Sequence, residues 1–446
     1  MNKTIVLFLA LFTSFSVLAQ APNQVKIIHA GSLLADARES VQSEMSIIVR
    51  NNLIVDVVDG FVQPGDVSGT SNARVIDLSN QFVLPGLIDS HTHILGQQEP
   101  NRRELAVTRT PEFSTLLGVE YGMRTLRAGF TTIRNVGAER NAVFALRDAI
   151  NQGIIMGPRI RASGQGITPT GGHGDRNGFR DDIFPHPHSG VCDGVAECRR
   201  AVRTQIKFGA DHIKYVATGG VLSMTATGTG QQFTDEEQVA LVQAAHAMGR
   251  KVAAHAHGKI GMMAALHAGV DSIEHGSYLD EEVADLFLQT GAYLVPTLIA
   301  GHTVERIASE RPDFYTPEVR QKALEVGPIM RNALRIAYEK GVKIAFGTDA
   351  GVNDHGTNAY EAVLMNEAGM PERDILVSAT VNAADLIGIS DVVGTIEAGK
   401  DADIIAVGGN PLEDIETLLQ PRFVMARGNE INLDVPPVDL FPWPNL

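Results

Sequence analysis

Six side chains in this sequence are of types that hold divalent metal ions, and their positions imply a shared site. His91 and His93 stand one residue apart, just after the apolar run 83–89. Side chains on a strand alternate with period two, so both rings face one side and can grip one ion. Taken alone, the pair is a weak sign, because closely spaced histidines also occur as ordinary polar residues. Other apolar runs carry more of the same chemistry. Lys214 lies within 212–217, His255 ends 251–255, His275 ends 272–275 and Asp349 ends 343–349. A buried Lys is costly unless it is paired or modified. Its bland reading, an ammonium snorkelling to a rim, leaves the neighbouring His and Asp residues unexplained. Four His, one Asp and one Lys on a common face suit two divalent ions.

The elements that must position these groups can be read from the pattern around them. Eight short apolar runs (83–89, 131–136, 159–163, 212–217, 251–255, 272–275, 293–297 and 343–349) alternate with amphipathic segments of helix length, such as 112–128, 195–208 and 317–340. Several of these segments stop at a Gly before the next run, as at Gly129, Gly209, Gly269 and Gly341, a common helix stop signal. Eight strands alternating with helices predict an α/β fold of the (β/α)8 TIM barrel type. Such barrels build their sites at the C-terminal strand ends, where all six side chains fall. Residues 25–29, 45–49 and 53–58 read as short strands, and 395–396, 403–407 and 422–426 return to that pattern. The two ends of the chain are expected to form one small β-sandwich (20–84 and 390–446) beside a barrel spanning 85–389.

Bulk properties narrow the function classes. The chain has 446 residues, 44% of them hydrophobic and only 20% charged, which suits a large packed core. The formal net charge of -15 repels phosphate backbones and makes nucleic acid an improbable partner. Lys3, an apolar stretch over 5–17 and the small-x-small site Val17-Leu18-Ala19 read as a signal peptide over 1–19, cut before Gln20. This predicts a secreted or periplasmic protein with no stable membrane insertion after signal removal. Cys192 and Cys198 are the two cysteines. In an exported protein they could close a short disulfide loop, or they could be two thiols near the start of a helix.

Longer motifs carry a specific resemblance. Leu84-Pro85-Gly86-Leu87-Ile88-Asp89-Ser90-His91-Thr92-His93, His212-Ile213-Lys214, Ala254-His255-Ala256-His257-Gly258, Ile273-Glu274-His275-Gly276 and Gly347-Thr348-Asp349 together resemble the amidohydrolase superfamily. The segment from Gly394 to Asp403 resembles the point where that family's chain re-enters its β domain. The resemblance implies two divalent ions, with Zn2+ the first expectation. His91, His93 and Asp349 would hold one ion, and His255 and His275 the other. Lys214, carboxylated by CO2 to a carbamate, would bridge the two. It also implies attack on an amide by a metal-bridging hydroxide, with Asp349 as the catalytic proton carrier. One position departs from the pattern: Asn135 stands where relatives often carry Asp.

Two further segments narrow the branch. Thr170-Gly171-Gly172-His173-Gly174-Asp175 and Lys214-Tyr215-Val216-Ala217-Thr218-Gly219-Gly220 resemble prolidase-like and Xaa-Arg or Xaa-Lys dipeptidases and ochratoxin A-hydrolysing amidohydrolases. The implied activity is hydrolysis of the amide to a C-terminal amino acid, in dipeptides or N-acyl amino acids. His173 and Tyr215 are candidates to meet the substrate carboxylate or oxyanion, though Gly171-Gly172 also reads as a plain turn with His173 as its hydrogen-bonding partner. His257 is a candidate substrate group or a packed His. A large homo-oligomer is expected by the same analogy. Other readings are a cyclic-amide hydrolase of the imidazolonepropionase or hydantoinase kind, a deaminase, and a non-catalytic scaffold. The bridging Lys214 speaks against the deaminase, and the full ligand set against the scaffold.

Overall fold

The computed structural model describes residues 24–99, 101–180, 182–183, 188–223 and 228–436. The expected signal segment lies outside the described residues. The chain opens with β1 (Val25–Leu33), β2 (Gln42–Arg50), β3 (Leu53–Asp59) and β4 (Arg74–Pro85). Eight strands then alternate with helices: β5 (Leu87–Thr92), β6 (Phe130–Asn135), β7 (Arg159–Ala162), β8 (Ile213–Val216), β9 (Val252–Ala256), β10 (Ser272–His275), β11 (Tyr293–Val295) and β12 (Lys343–Ile344). The chain closes with β13 (Ile404–Val407), β14 (Phe423–Ala426) and β15 (Asn429–Glu430).

The strands form three sheets. Both chain ends build one seven-stranded sheet in the order β15-β14-β13-β4-β1-β2-β3. The β domain expected from the two chain ends is thus knit by one continuous hydrogen-bonded sheet. β4 makes this possible, because it pairs with β1 along its length and with β13 through residues 82–85. One face of the sheet carries its own core, including Ile28, Ile47, Val83 and Ile404. The strand expected at 395–396 is not formed; Ile396 instead donates its N–H to Ala35 O at 2.8 Å.

The eight central strands form parallel sheets of three (β5-β6-β7) and five (β12-β11-β10-β9-β8). Backbone bonds link the edges of these sheets. Asp349 N–H donates to His91 O and His93 N–H to Ala350 O, each at 2.7 Å. At the other seam Ile167 N–H donates to Lys214 O at 2.9 Å. The helices between are terminated as the Gly spacing predicts: Gly129, Gly209, Gly269 and Gly341 all have positive φ.

The strand expected over 83–89 divides at Gly86. There β4 leaves the seven-stranded sheet and β5 enters the three-stranded one. Gly86 N–H donates to Asp403 O at 2.9 Å. A Cβ at Gly86 would lie 2.3 Å from Thr131 Oγ1. Only a residue without a side chain lets the chain turn this close to β6.

Candidate metal centre

β5 brings His91 and His93 to its C-terminal end, as the alternation predicts. Asp349 follows β12 and meets both. Its Oδ1 lies 3.4 Å from His91 Nε2 and 3.2 Å from His93 Nε2. The other ring nitrogens are already held. His91 Nδ1 lies 2.6 Å from Glu274 Oε2, and His93 Nδ1 donates to Gly137 O at 2.7 Å. A carbonyl can only accept, so His93 Nδ1 carries a proton, and Nε2 is the ring nitrogen turned to the centre. His91 and His93 hold the Asp349 carboxyl well below the usual carboxylate range, despite its burial.

His255 and His275 come from the ends of β9 and β10. His275 Nε2 lies 2.9 Å from His255 Nδ1, and His275 Nδ1 is hydrogen-bonded to Thr297 Oγ1 at 2.8 Å. His255 Nε2 is buried and has no hydrogen-bond partner among the described residues. A buried nitrogen with a free lone pair in a cluster of histidines fits a metal-ligand role. His257 joins this group: its ring stacks on His275 with centroids 4.8 Å apart, and its Nδ1 lies 2.7 Å from Ser277 Oγ. Among the described residues two groupings could take a metal, one of His255, His257 and His275, the other of His91, His275 and Asp349. Imidazole nitrogens and carboxylate oxygens fit a borderline divalent ion such as zinc.

Lys214 points inward from β8 and is buried. Burial lowers its pKa to about 8, while the negative charges of Glu274 and Asp349 pull the other way. A lysine so placed is neutral more often than a surface one, which is the state an amine needs to react with CO2.

Backbone strain collects here. His275, Thr297 and Asp349 have φ of 72°, 52° and 59°, in the left-handed region that non-glycine residues rarely adopt. At His275 this has a direct use. Neighbours on a strand normally face opposite sides, yet both Glu274 and His275 reach His91, the former by its hydrogen bond and the latter with ring centroids 5.0 Å apart.

The other sequence-derived candidates separate. His173 reaches the centre, its ring stacked on His255 with centroids 4.3 Å apart. Tyr215 does not. It lies on the face of β8 opposite Lys214 and donates its hydroxyl to Gln238 Oε1 at 2.9 Å, between strand and helix. The structure therefore removes it from the substrate contacts. Cys192 and Cys198 are joined in a disulfide. Asn135 keeps a structural task, accepting the Ile94 N–H at 2.7 Å on its Oδ1.

Sequence reasoning missed the residues that steady the ligands. Glu274 is fully buried, and its second oxygen accepts from Arg134 Nη2 at 2.7 Å. The Arg134 charge and the His91 hydrogen bond hold its carboxyl far below the usual range against the pull of burial. Asp89 accepts backbone N–H bonds from His91 at 3.0 Å and Thr348 at 3.1 Å, tying β5 to the segment that carries Asp349. Both residues lie inside the ligand motifs, so proximity in sequence was the available signal. For Arg134 only its central place in an apolar run hinted at a buried role.

Comparison with known proteins places this geometry. Residues 82–431 match the model of the amidohydrolase family. The chain belongs to that family. This amidohydrolase is 32% identical over 419 residues to the ochratoxinase of Aspergillus niger, covering 90% of this chain and 85% of that protein. It is 44% identical to a solved Xaa-Pro dipeptidase with methionine bound in its active site, with a TM-score of 0.86 over 91% of this chain and 99% of that one. It is 30% identical to a solved prolidase complexed with N-methylphosphonate-L-proline, with a TM-score of 0.81 over 92% of this chain and 99% of that one. The chain is a hydrolase acting on C–N bonds. Amidohydrolases typically use divalent metals, and the His/Asp groupings above supply a site for them.

Proposed function

We propose that this amidohydrolase cleaves the amide bond to a C-terminal amino acid, in dipeptides or in N-acyl amino acids such as ochratoxin A. The convergence of His91 and His93 on Asp349 Oδ1, beside His255, His275 and buried Lys214, carries the hydrolytic part of this reading. The substrate class is supported by the relatives, which include a Xaa-Pro dipeptidase, a prolidase and an ochratoxinase.

His91, His93 and Asp349 would hold one divalent ion, and His255 and His275 the other, with Lys214 joining them as a carbamate. Zn2+ is the first choice for both. Bound ions supply Lewis acidity, acidifying water and polarising the amide carbonyl. The Asp349 carboxylate is anionic at neutral pH and can accept a proton from water and return it to the leaving nitrogen. Glu274 and Arg134 fix the His91 ring, and Thr297 and Ser277 fix His275 and His257, so the donors need little reorganisation when substrate arrives.

Three wider readings accompany this one. The two parallel sheets are taken as one closed (β/α)8 barrel over 85–389, which the seam hydrogen bonds support. The described residues of 20–84 and 390–446 are taken as the accompanying β domain. Residues 1–19 direct export, for which the disulfide is suitable chemistry.

A panel of dipeptides, N-acyl amino acids and cyclic amides, scored by amino-acid release from the metal-loaded protein, tests the substrate class. Release from the first two groups is expected. Turnover confined to hydantoins, lactones or amino-substituted bases would contradict it.

A further inference from the structure

Lys322 stands in the helix Pro317–Lys340, which carries none of the ligands above. Its Nζ donates to Gly220 O at 3.0 Å and to Ser223 O at 2.7 Å. Gly220 in turn lies flat against His173. A Cβ there would fall 2.5 Å from His173 Cε1 and 2.7 Å from Nδ1. His173 stacks on His255. The ammonium is thus set one loop residue and one imidazole behind the histidine cluster.

Two features make this Lys unusual. It is half-buried, and burial lowers its pKa. Yet among the described residues no carboxylate lies within ion-pair distance of it. Taking an ammonium out of water without a counter-charge is costly. Carbonyl dipoles offset part of that cost; an ammonium has three donors, and among the described residues two of them go to Gly220 O and Ser223 O. The surrounding protein is strongly acidic, with a formal net charge of -15. Its long-range field repels an anionic substrate, and a fixed local cation offsets that repulsion at the mouth.

We propose that Lys322 is the counter-charge for the α-carboxylate of the substrate's C-terminal amino acid. The proposal rests on the function read above and names the group that selects for it. Bond lengths agree: the carboxylate carbon lies roughly 3–4 Å beyond the scissile carbon, about one residue. A scissile carbonyl at the histidine cluster would then direct the carboxylate toward the layer of His173 and Gly220, on whose carbonyl the Lys322 ammonium sits.

The test compares a dipeptide acid with its C-terminal carboxamide on the same enzyme preparation. The wild-type protein should favour the acid. In Lys322→Met the ratio of kcat/KM values, acid over carboxamide, should fall on the order of ten- to a hundredfold, as expected for loss of one charge-assisted hydrogen bond. The loss should fall mainly on KM, and a free amino acid should bind more weakly by calorimetry. Lys322→Arg should restore most of the preference. Because the ratio is taken within one preparation, a partly misfolded variant does not mimic the result. If Lys322→Met lowers both substrates alike and leaves the ratio intact, Lys322 is only a strut for the Gly220 loop and the proposal fails. If the wild-type enzyme cuts no bond to a C-terminal amino acid, the functional reading itself fails, and the two results are distinguishable.

Discussion

Glu274 and His91 share a hydrogen bond in which neither partner touches solvent: their side chains are 0% and 1% exposed. Hydrogen bonds of this kind set which ring nitrogen is free to ligate, and removing them typically weakens metal binding 10–100-fold. Glu274→Gln should therefore weaken metal affinity by roughly that factor, read by chelator competition, and lower kcat with it. It also leaves Arg134 buried beside a neutral group, so a measurable loss of stability should accompany it. Unchanged metal affinity would show that Glu274 is only a structural ion-pair partner. Lys214→Ala should abolish activity, and partial rescue by a short-chain carboxylic acid would support the carbamate. Full activity in the Ala variant would exclude a bridging role. At this scale the candidate ligands stood out because each lies in or beside an apolar run within a dense motif. Tyr215 shows a signal that was available and not used: if Lys214 points inward on β8, its neighbour must point outward. Lys322 was not legible, since only the tertiary fold brings its helix against the loop at Gly220.

Glu361 shows how an element is held in place for chemistry. It is buried, and its oxygens accept the Leu298 N–H at 2.8 Å and the Ile299 N–H at 2.6 Å. These are the first amides of the helix Leu298–Glu310, which have no partner within the helix. The residue before them is Thr297, left-handed and bonded to His275. Glu361→Ala should destabilise the protein by about 2–4 kcal/mol, from two buried amides left unsatisfied. The loss should appear in denaturant melts. Burial pushes the Glu361 carboxyl up to about 8, from an ordinary 4.5. The folded state therefore binds this proton more tightly than the unfolded state. Its contribution to stability is full below pH 4.5 and is lost as pH rises toward about 8. The wild-type protein should lose stability over that window relative to Glu361→Ala; parallel pH profiles would count against a raised carboxyl. Gly86 marks the other element-scale feature. Gly86→Ala should cost about 1–3 kcal/mol by crowding Thr131, with a normal melt as the contrary result. The helix stops were readable from glycine spacing. The break at Gly86 was not, because an apolar run crosses from β4 into β5 without a change of composition.

At the scale of the molecule, the seven-stranded sheet and the parallel sheets are joined by packing and by charge. Phe82, Leu84, Ile405 and Val424 share a core with Leu126 and Phe130. Arg159 at the start of β7 bonds to both Asp401 and Asp403 beside β13. That both chain ends meet in one β domain was legible from the return of short β-branched runs after Gly394. That they form a single sheet was not, because strand pairing is set by the length of β4, which composition does not reveal. No helix among the described residues is long and apolar enough to cross a membrane.

The central claim is that this fold assembles a two-ion amide hydrolase. It is tested most directly by stripping the protein with a chelator and titrating Zn2+ back while following amino-acid release from a dipeptide. Activity should be absent in the stripped protein, rise with added metal and saturate near about two equivalents per chain, as for other two-metal sites. Undiminished activity in the stripped protein, or none at any Zn2+ or Co2+ concentration, would contradict it.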